Sequence, residues 1–403
     1  MVISMALGID GQYRLILTGL VTLLISTAAA SIAGVYLGAA HELIALIPGL
    51  MILLPASIDM RGNISGVLAS RLSSSMHLGE FEVDFRKDRV LGDNFRASFI
   101  ITVLISFLLG VFANAVSRPL GIDVPGIFDL TLISVFSGII SGLLVMAITF
   151  LISIASYRYG LDLDMIAAPS VTTAGDLVTL PILILSALFV LQLSPAIRAA
   201  MIVAVILLVV ASLAYTRLQS FEARRMVSER MILLIPLSLL GILAGATYTL
   251  ELERLVSFAA FLILIPPYMA GCGSIGGILC SRLATGMHTG EINPLPLPGS
   301  DVMHHFIITY FYTLILLPLI AVVAHVAAGL LELDSPGLLS LMSISVLAGM
   351  VIMTLVNGVA YITASMSFRY GFDPDNFGIP VITSLIDLIG ATVLIAVITL
   401  LLS

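Results

Sequence analysis

At 403 residues, 60% of them hydrophobic and only 10% charged, the chain is too apolar for an ordinary soluble domain, in which about a quarter of residues carry charge. The net charge of −7 comes without any basic run, which excludes a nucleic-acid partner, and two cysteines in one apolar stretch (Cys272 and Cys280) exclude a disulfide framework. Apolar runs of about 20 residues recur from end to end, so the chain reads as an all-α polytopic membrane protein embedded in a lipid bilayer.

A first span is expected over about 14–39. Arg14 and the stretch STAAAS resemble a signal peptide, but the apolar run is too long for an h-region, and a retained helix is expected. The next apolar stretch, about 41–78, is long for one span and carries Pro48 and Pro55, which predicts a kink or break. A charged loop, 79–95, leads to spans at about 96–117, 127–156 and 166–194, then to a further apolar segment at about 197–217. Five more helices follow at about 226–250, 254–289, 303–329, 337–367 and 379–402.

These elements repeat. Pro55–Glu80 (PASIDMRGNISGVLASRLSSSMHLGE) returns as Pro266–Glu291 (PPYMAGCGSIGGILCSRLATGMHTGE), offset by 266 − 55 = 211 residues without a gap and with 12 of 26 positions identical. At the same offset Tyr157–Leu177 matches Phe368–Leu388, pairing Pro169 with Pro380, Thr172 with Thr383 and Asp176 with Asp387. So long a period signals a duplicated half-protein and not a solenoid. The expected organisation is a membrane repeat at 1–195, a linking helix and loop at 196–222, and a second repeat at 223–403. Five spans per repeat would invert the halves, and the extra helix restores their orientation. About 11 spans then form two parallel five-helix repeats, related by a pseudo-twofold axis along the membrane normal. With the N-terminus cytoplasmic, ten arginines and lysines, Arg86, Lys87, Arg158 and Arg369 among them, fall inside, and Arg118, Arg198 and Arg254 fall outside. The positive-inside rule therefore places the N-terminus in the cytoplasm and the C-terminus outside a plasma membrane.

An ionisable group in mid-span is costly, roughly 2.5–3.5 kcal/mol for an Asp, and is read as functional by default. Asp176 and Asp387 each sit near the middle of an apolar span and are related by the repeat. Under a twofold, one carboxylate from each half makes a site that prefers a cation, and a divalent one best. The alternative is a pair of protonated or hydrogen-bonded structural residues. Gly62-Asn63-Ile64-Ser65-Gly66 and Gly273-Ser274-Ile275-Gly276-Gly277 are small-residue faces that either pack helices closely or expose backbone along an ion path. Asp59, Asn63, Ser65 and Ser274 add oxygens, and Thr172, Thr173, Thr383 and Ser384 lie one turn before the aspartates. Oxygen-only ligands suit hard cations such as Mg²⁺. His77-x-x-Glu80 and His288-x-x-Glu291 are the rival metal site, the basis of a membrane-embedded metalloenzyme; Gly79 and Gly290 interrupt them, which favours a polar helix end. Glu42 and Glu253 coincide at the opposite mouth, as cation attractors or as solvated loop charges.

PASIDMRGN…SRLSSSMHLGE and DMIAAPSVTTAGDLVTL resemble the membrane domain of MgtE-type magnesium transporters, in particular the fused two-repeat branch like solute carrier family 41. The resemblance spans both repeats. It implies a pore between the halves carrying partly hydrated Mg²⁺, with Asp176 and Asp387 matching the family's ion-binding Asp, and Gly62 and Asn63 its helix-2 site. Three positions depart from the pattern: Gly273-Ser274 replaces Gly-Asn, and Ala168 and Ile379 stand where single-repeat members have Asn before the Pro, leaving only main-chain oxygens there. The regulatory domains of single-repeat members have no counterpart, so gating is expected from the membrane part, its short loops or a partner; a homodimer is possible. No enzymatic activity is expected. Transporters of Mn²⁺, Co²⁺ or Na⁺, cation-coupled exchangers among them, are the alternatives.

Overall fold

The computed structural model describes residues 11–159, 163–293, 297–370 and 374–402; the side chains of 11–15, His77, 163–170, 172–173 and 374–379 are outside that description. The described residues form thirteen helices: α1 (Gly11–Ala39), α2 (His41–Leu46), α3 (Gly49–His77), α4 (Val90–Ser117), α5 (Ile127–Tyr159), α6 (Leu163–Gln192), α7 (Pro195–Thr216), α8 (Phe221–Leu250), α9 (Leu252–Ser257), α10 (Ala260–Thr289), α11 (Ser300–Leu330), α12 (Leu338–Tyr370) and α13 (Pro374–Leu402). Ten of these are long and apolar enough to cross a membrane. α3, 29 residues long, is not among them, being diluted by Asp59, Arg61, Asn63 and Arg71; its repeat counterpart α10 is one of the ten.

The duplication extends to helix ends. Adding 211 to His41–Leu46 gives 252–257, the bounds of α9, and adding it to Ile127–Tyr159 gives 338–370, the bounds of α12. The expected break in the 41–78 stretch falls at 47–48, beside Pro48. The second repeat breaks at the same place, 258–259, where Pro48 is replaced by Ala259, so proline is not what forces it. Capping places the ends of the linking helices. Ser194 accepts from the Ile197 amide with Pro195 in the first turn of α7, and Ser220 accepts from the Ala223 amide at 3.1 Å at the start of α8. Ser220 also donates to Asp93 at 2.6 Å, which joins the starts of α8 and α4.

By packing, the chain divides after Gly38 and after Ser257. Ala39–Ser257 forms a continuous unit, and the segments either side of it form a split unit. Each repeat thus contributes its first helix to the unit that holds the rest of the other repeat. In the split unit α1 packs on α10 and α11: Gly34 lies on the Ile263 carbonyl, and Tyr312 Oη donates to the Ile16 carbonyl at 3.1 Å. In the continuous unit α8 packs on α3, with Gly245 on the backbone of Ile52. These are the same contact, since 34 + 211 = 245 and 52 + 211 = 263. Lipid removes the hydrophobic drive between helices, so close approach at small residues supplies the packing. Hydroxyls in the bundle are satisfied locally: Thr149, Ser153 and Thr179 donate to carbonyls one turn back, at 2.6–2.8 Å. The loop after α3 folds back on the bundle, with Phe81 against Tyr157 and Phe85 against Phe150.

Candidate functional site

The two motif-bearing helices pair within each unit: α3 packs against α6, and α10 against α13. On α3 the partly exposed positions 55, 58, 59, 62, 63, 66 and 67 recur every three or four residues and so share one face. That face carries Asp59, Gly62, Asn63 and Gly66. Asn63 Nδ2 donates to Asp59 Oδ1 at 3.1 Å, which leaves the Asn63 carbonyl oxygen as an acceptor. Among the described residues, a side chain at Gly62 or Gly66 would meet no atom within 4 Å, so no such contact accounts for either glycine. The contrast with Gly245, packed on backbone, separates the two readings that a small-residue face allows. Ser65 is buried, away from the open face.

Asp176 is partly exposed at the middle of α6 and forms no hydrogen bond or ion pair among the described residues. Asp387 occupies the same place on α13, also partly exposed. The structure brings Gly273 and Thr383 together: a Cβ at Gly273 would lie 3.8 Å from the Thr383 methyl, while Thr383 Oγ1 donates to the Pro380 carbonyl at 3.0 Å. Ser274 instead faces α1, its hydroxyl 3.5 Å from that of Ser26. Ser384 is buried. The side chains of Ala168, Thr172, Thr173 and Ile379 lie outside the described residues. Glu42 and Glu253 are exposed in the first turns of α2 and α9, two short helices that pack on each other.

The His-x-x-Glu stretches straddle helix ends. Gly79 (φ 74°) and Gly290 (φ 77°) take the left-handed conformation that stops a helix, which puts Glu80 and Glu291 beyond α3 and α10. Glu80 and Glu291 are exposed, and the His288 ring packs on Phe368. Among the described residues no three of His, Cys, Asp and Glu gather as a metal cluster.

One residue of this region escaped the sequence reading. Arg61, next to Gly62, is 4% exposed, and its Nε and Nη1 have no hydrogen-bond partner among the described residues. Its side chain runs past Gly175 of α6 to Gly138 and Gly142 of α5. Its repeat counterpart is Cys272, so a search for residues duplicated in both halves passes over it. The signal was a charge inside an apolar helix.

Ten helices long and apolar enough to cross a membrane, in two repeat-related sets that each carry a mid-span carboxylate, define a multi-pass membrane protein. The MgtE family, described as divalent cation transporters, matches residues 54–186 and 265–397, and the chain belongs to it. Among curated relatives, solute carrier family 41 member 3 of Rattus norvegicus is 26% identical over 381 residues, covering 86% of this chain and 78% of that protein. Solute carrier family 41 member 2 of Macaca fascicularis is 27% identical over 379 residues, covering 85% and 62%. The human member 2 is 30% identical over 138 residues, covering 33% of this chain and 23% of that protein. No solved structure matches.

Proposed function

We propose that this divalent cation transporter carries Mg²⁺, and that Asp176 and Asp387 hold the ion in transit. The observation that supports this most is Asp176, a carboxylate in the middle of a membrane helix with no hydrogen bond or ion pair among the described residues, duplicated as Asp387. An unpaired carboxylate at that depth costs several kcal/mol, and a cation offsets it. Mg²⁺ is bound through one or two carboxylates and keeps several waters, which needs a polar path with room in front of it. The open face of α3, with Gly62, Gly66 and the Asn63 oxygen, supplies room and acceptors. Oxygen donors favour a hard ion such as Mg²⁺ over metals that seek thiolate or imidazole ligands. Glu42 and Glu253 raise the local cation concentration at one entrance. The arginine distribution supports a cytoplasmic N-terminus.

The test is ion entry into liposomes containing the purified protein, with a divalent-sensitive dye inside. Mg²⁺ entry should exceed that of Mn²⁺ and Co²⁺ at equal gradients, and repeating the measurement with a Na⁺ or proton gradient separates coupled exchange from conduction. Entry of Mn²⁺ or Co²⁺ at a higher rate than Mg²⁺ would remove magnesium as the substrate.

A further inference from the structure

The continuous unit has a shallow, open groove between α3, α4 and α8. Its lining is mostly apolar, with Ile64, Leu68, Ile101 and Leu234 among it, and also holds Asn94, whose amide donates to the Val90 carbonyl, Ser98 and two guanidinium groups, Arg71 and Arg230. Arg71 and Arg230 are near enough to repel each other, and neither has a hydrogen bond or ion pair among the described residues. The carboxylates that approach them are Glu222 and Glu229, and Glu229 is already bound to Arg225 at 2.6 Å.

The split unit shows what this place looks like when it is filled. The counterpart of Ile101 is Tyr312 (101 + 211), that of Arg71 is Arg282 (71 + 211), and that of Arg230 is Gly19 (230 − 211). There the Tyr312 hydroxyl lies on Gly19, accepts from Arg282 and donates to the Ile16 carbonyl at 3.1 Å. The chain's own side chain fills the groove and gives the arginine its acceptor. In the continuous unit the phenol is missing, the space is open and a second arginine replaces the glycine. Two buried-edge cations in a mostly apolar groove call for an anion that carries its own apolar group, since a guanidinium pair binds phosphate oxygens in bidentate fashion. Arg71 lies six residues, about 9 Å, from the end of α3 that meets the charged loop, at the level where a lipid phosphate sits and a long side chain can reach it.

We propose that this groove binds an anionic phospholipid, with its phosphate on Arg71 and Arg230 and an acyl chain along Ile64, Leu68, Ile101 and Leu234. Basic pockets between membrane helices bind acidic headgroups in this way. The site is separate from the Asp176 carboxylate, and its test does not use transport. The protein in a neutral detergent is melted with phosphatidylglycerol, with phosphatidylcholine or with inorganic phosphate, and lipid carried through purification is counted by native mass spectrometry. Phosphatidylglycerol should raise the melting temperature and remain bound, with affinity falling about fivefold in Arg230→Gln. Ile101→Tyr introduces the residue the protein uses at the equivalent place and should abolish both effects; it carries the test if the arginine variant does not fold. Equal shifts from the two lipids, or retention unchanged in both variants, would overturn the proposal. A shift from inorganic phosphate as large as that from phosphatidylglycerol would also overturn it, because the site would then take a free oxyanion.

Discussion

The continuous and split units share five repeat-related helices, α8 and α3–α6 in the one against α1 and α10–α13 in the other, yet differ at a few interior positions. At one, Arg61 in the continuous unit stands against Cys272 in the split unit, both buried. At another, Ile101 and Arg230 leave a groove where Tyr312 and Gly19 close one. The features held in common are the glycine contacts of the exchanged first helices, the broken second helix and the mid-span aspartates. What both units keep is what packing and ion handling need. What differs is charge, concentrated in the continuous unit. Duplication thus preserved the scaffold and the carboxylate and let the surroundings diverge.

The comparison can be broken first at the shared packing contact. A Cβ at Gly245 would press on the backbone of Ile52, and one at Gly34 on the Ile263 carbonyl, neither of which can rotate away. Gly245→Val and Gly34→Val should each cost about 3 kcal/mol or more, read as loss of the monodisperse peak in size-exclusion chromatography. If either variant folds like wild type, the exchange of first helices is not essential to its unit.

Gly62 should behave in the opposite way. Its surroundings are open, so Gly62→Leu should fold with an unchanged melting temperature while ion entry into liposomes falls about tenfold or more, because the added side chain occupies the polar face (a barrier increase of about 1.4 kcal/mol). Normal flux through Gly62→Leu would show that this face does not line the path.

Arg61 tests the asymmetry. A buried guanidinium with unpartnered donors is destabilising, and an apolar group of similar volume usually is not. Arg61→Met should therefore raise the melting temperature, by an amount reflecting roughly 1–3 kcal/mol. A lowered value would mean that the guanidinium has a counter-charge in the folded protein. The smallest effect is expected at the cap of α8: Ser220→Ala should cost about 1 kcal/mol, measured by thermal melting.

Much of the architecture was legible in the sequence. The repeat and the spans follow from hydropathy and a gapless offset; Pro48 marked the break in the second helix, although the second repeat breaks at the same place without a proline and Pro55 lies inside the unbroken α3. The helix-ending role of Gly79 and Gly290 was also readable, because glycine at the end of an apolar run marks a left-handed stop. The exchange of first helices was not. Gly34 and Gly245 announce close packing but not the partner, and Ile263 and Ile52 look alike from either repeat. Arg61 stayed hidden for a related reason: demanding that a functional residue recur at the offset discards whatever one half acquired alone. The groove at Arg71 and Arg230 needed coordinates, since only the filled copy around Tyr312 makes the empty one meaningful.

The central claim is that Asp176 and Asp387 carry the ion. The most direct measurement is Mg²⁺ entry into liposomes for wild type, Asp176→Asn, Asp387→Asn and the double variant, at matched protein density and with folding checked by size-exclusion chromatography. Asparagine keeps the size and removes the charge, so each single change should slow entry by tenfold or more, about 1.4 kcal/mol, and the double change should bring it to the level of empty liposomes. Entry at the wild-type rate in the double variant would contradict the account and move the ion site to other groups.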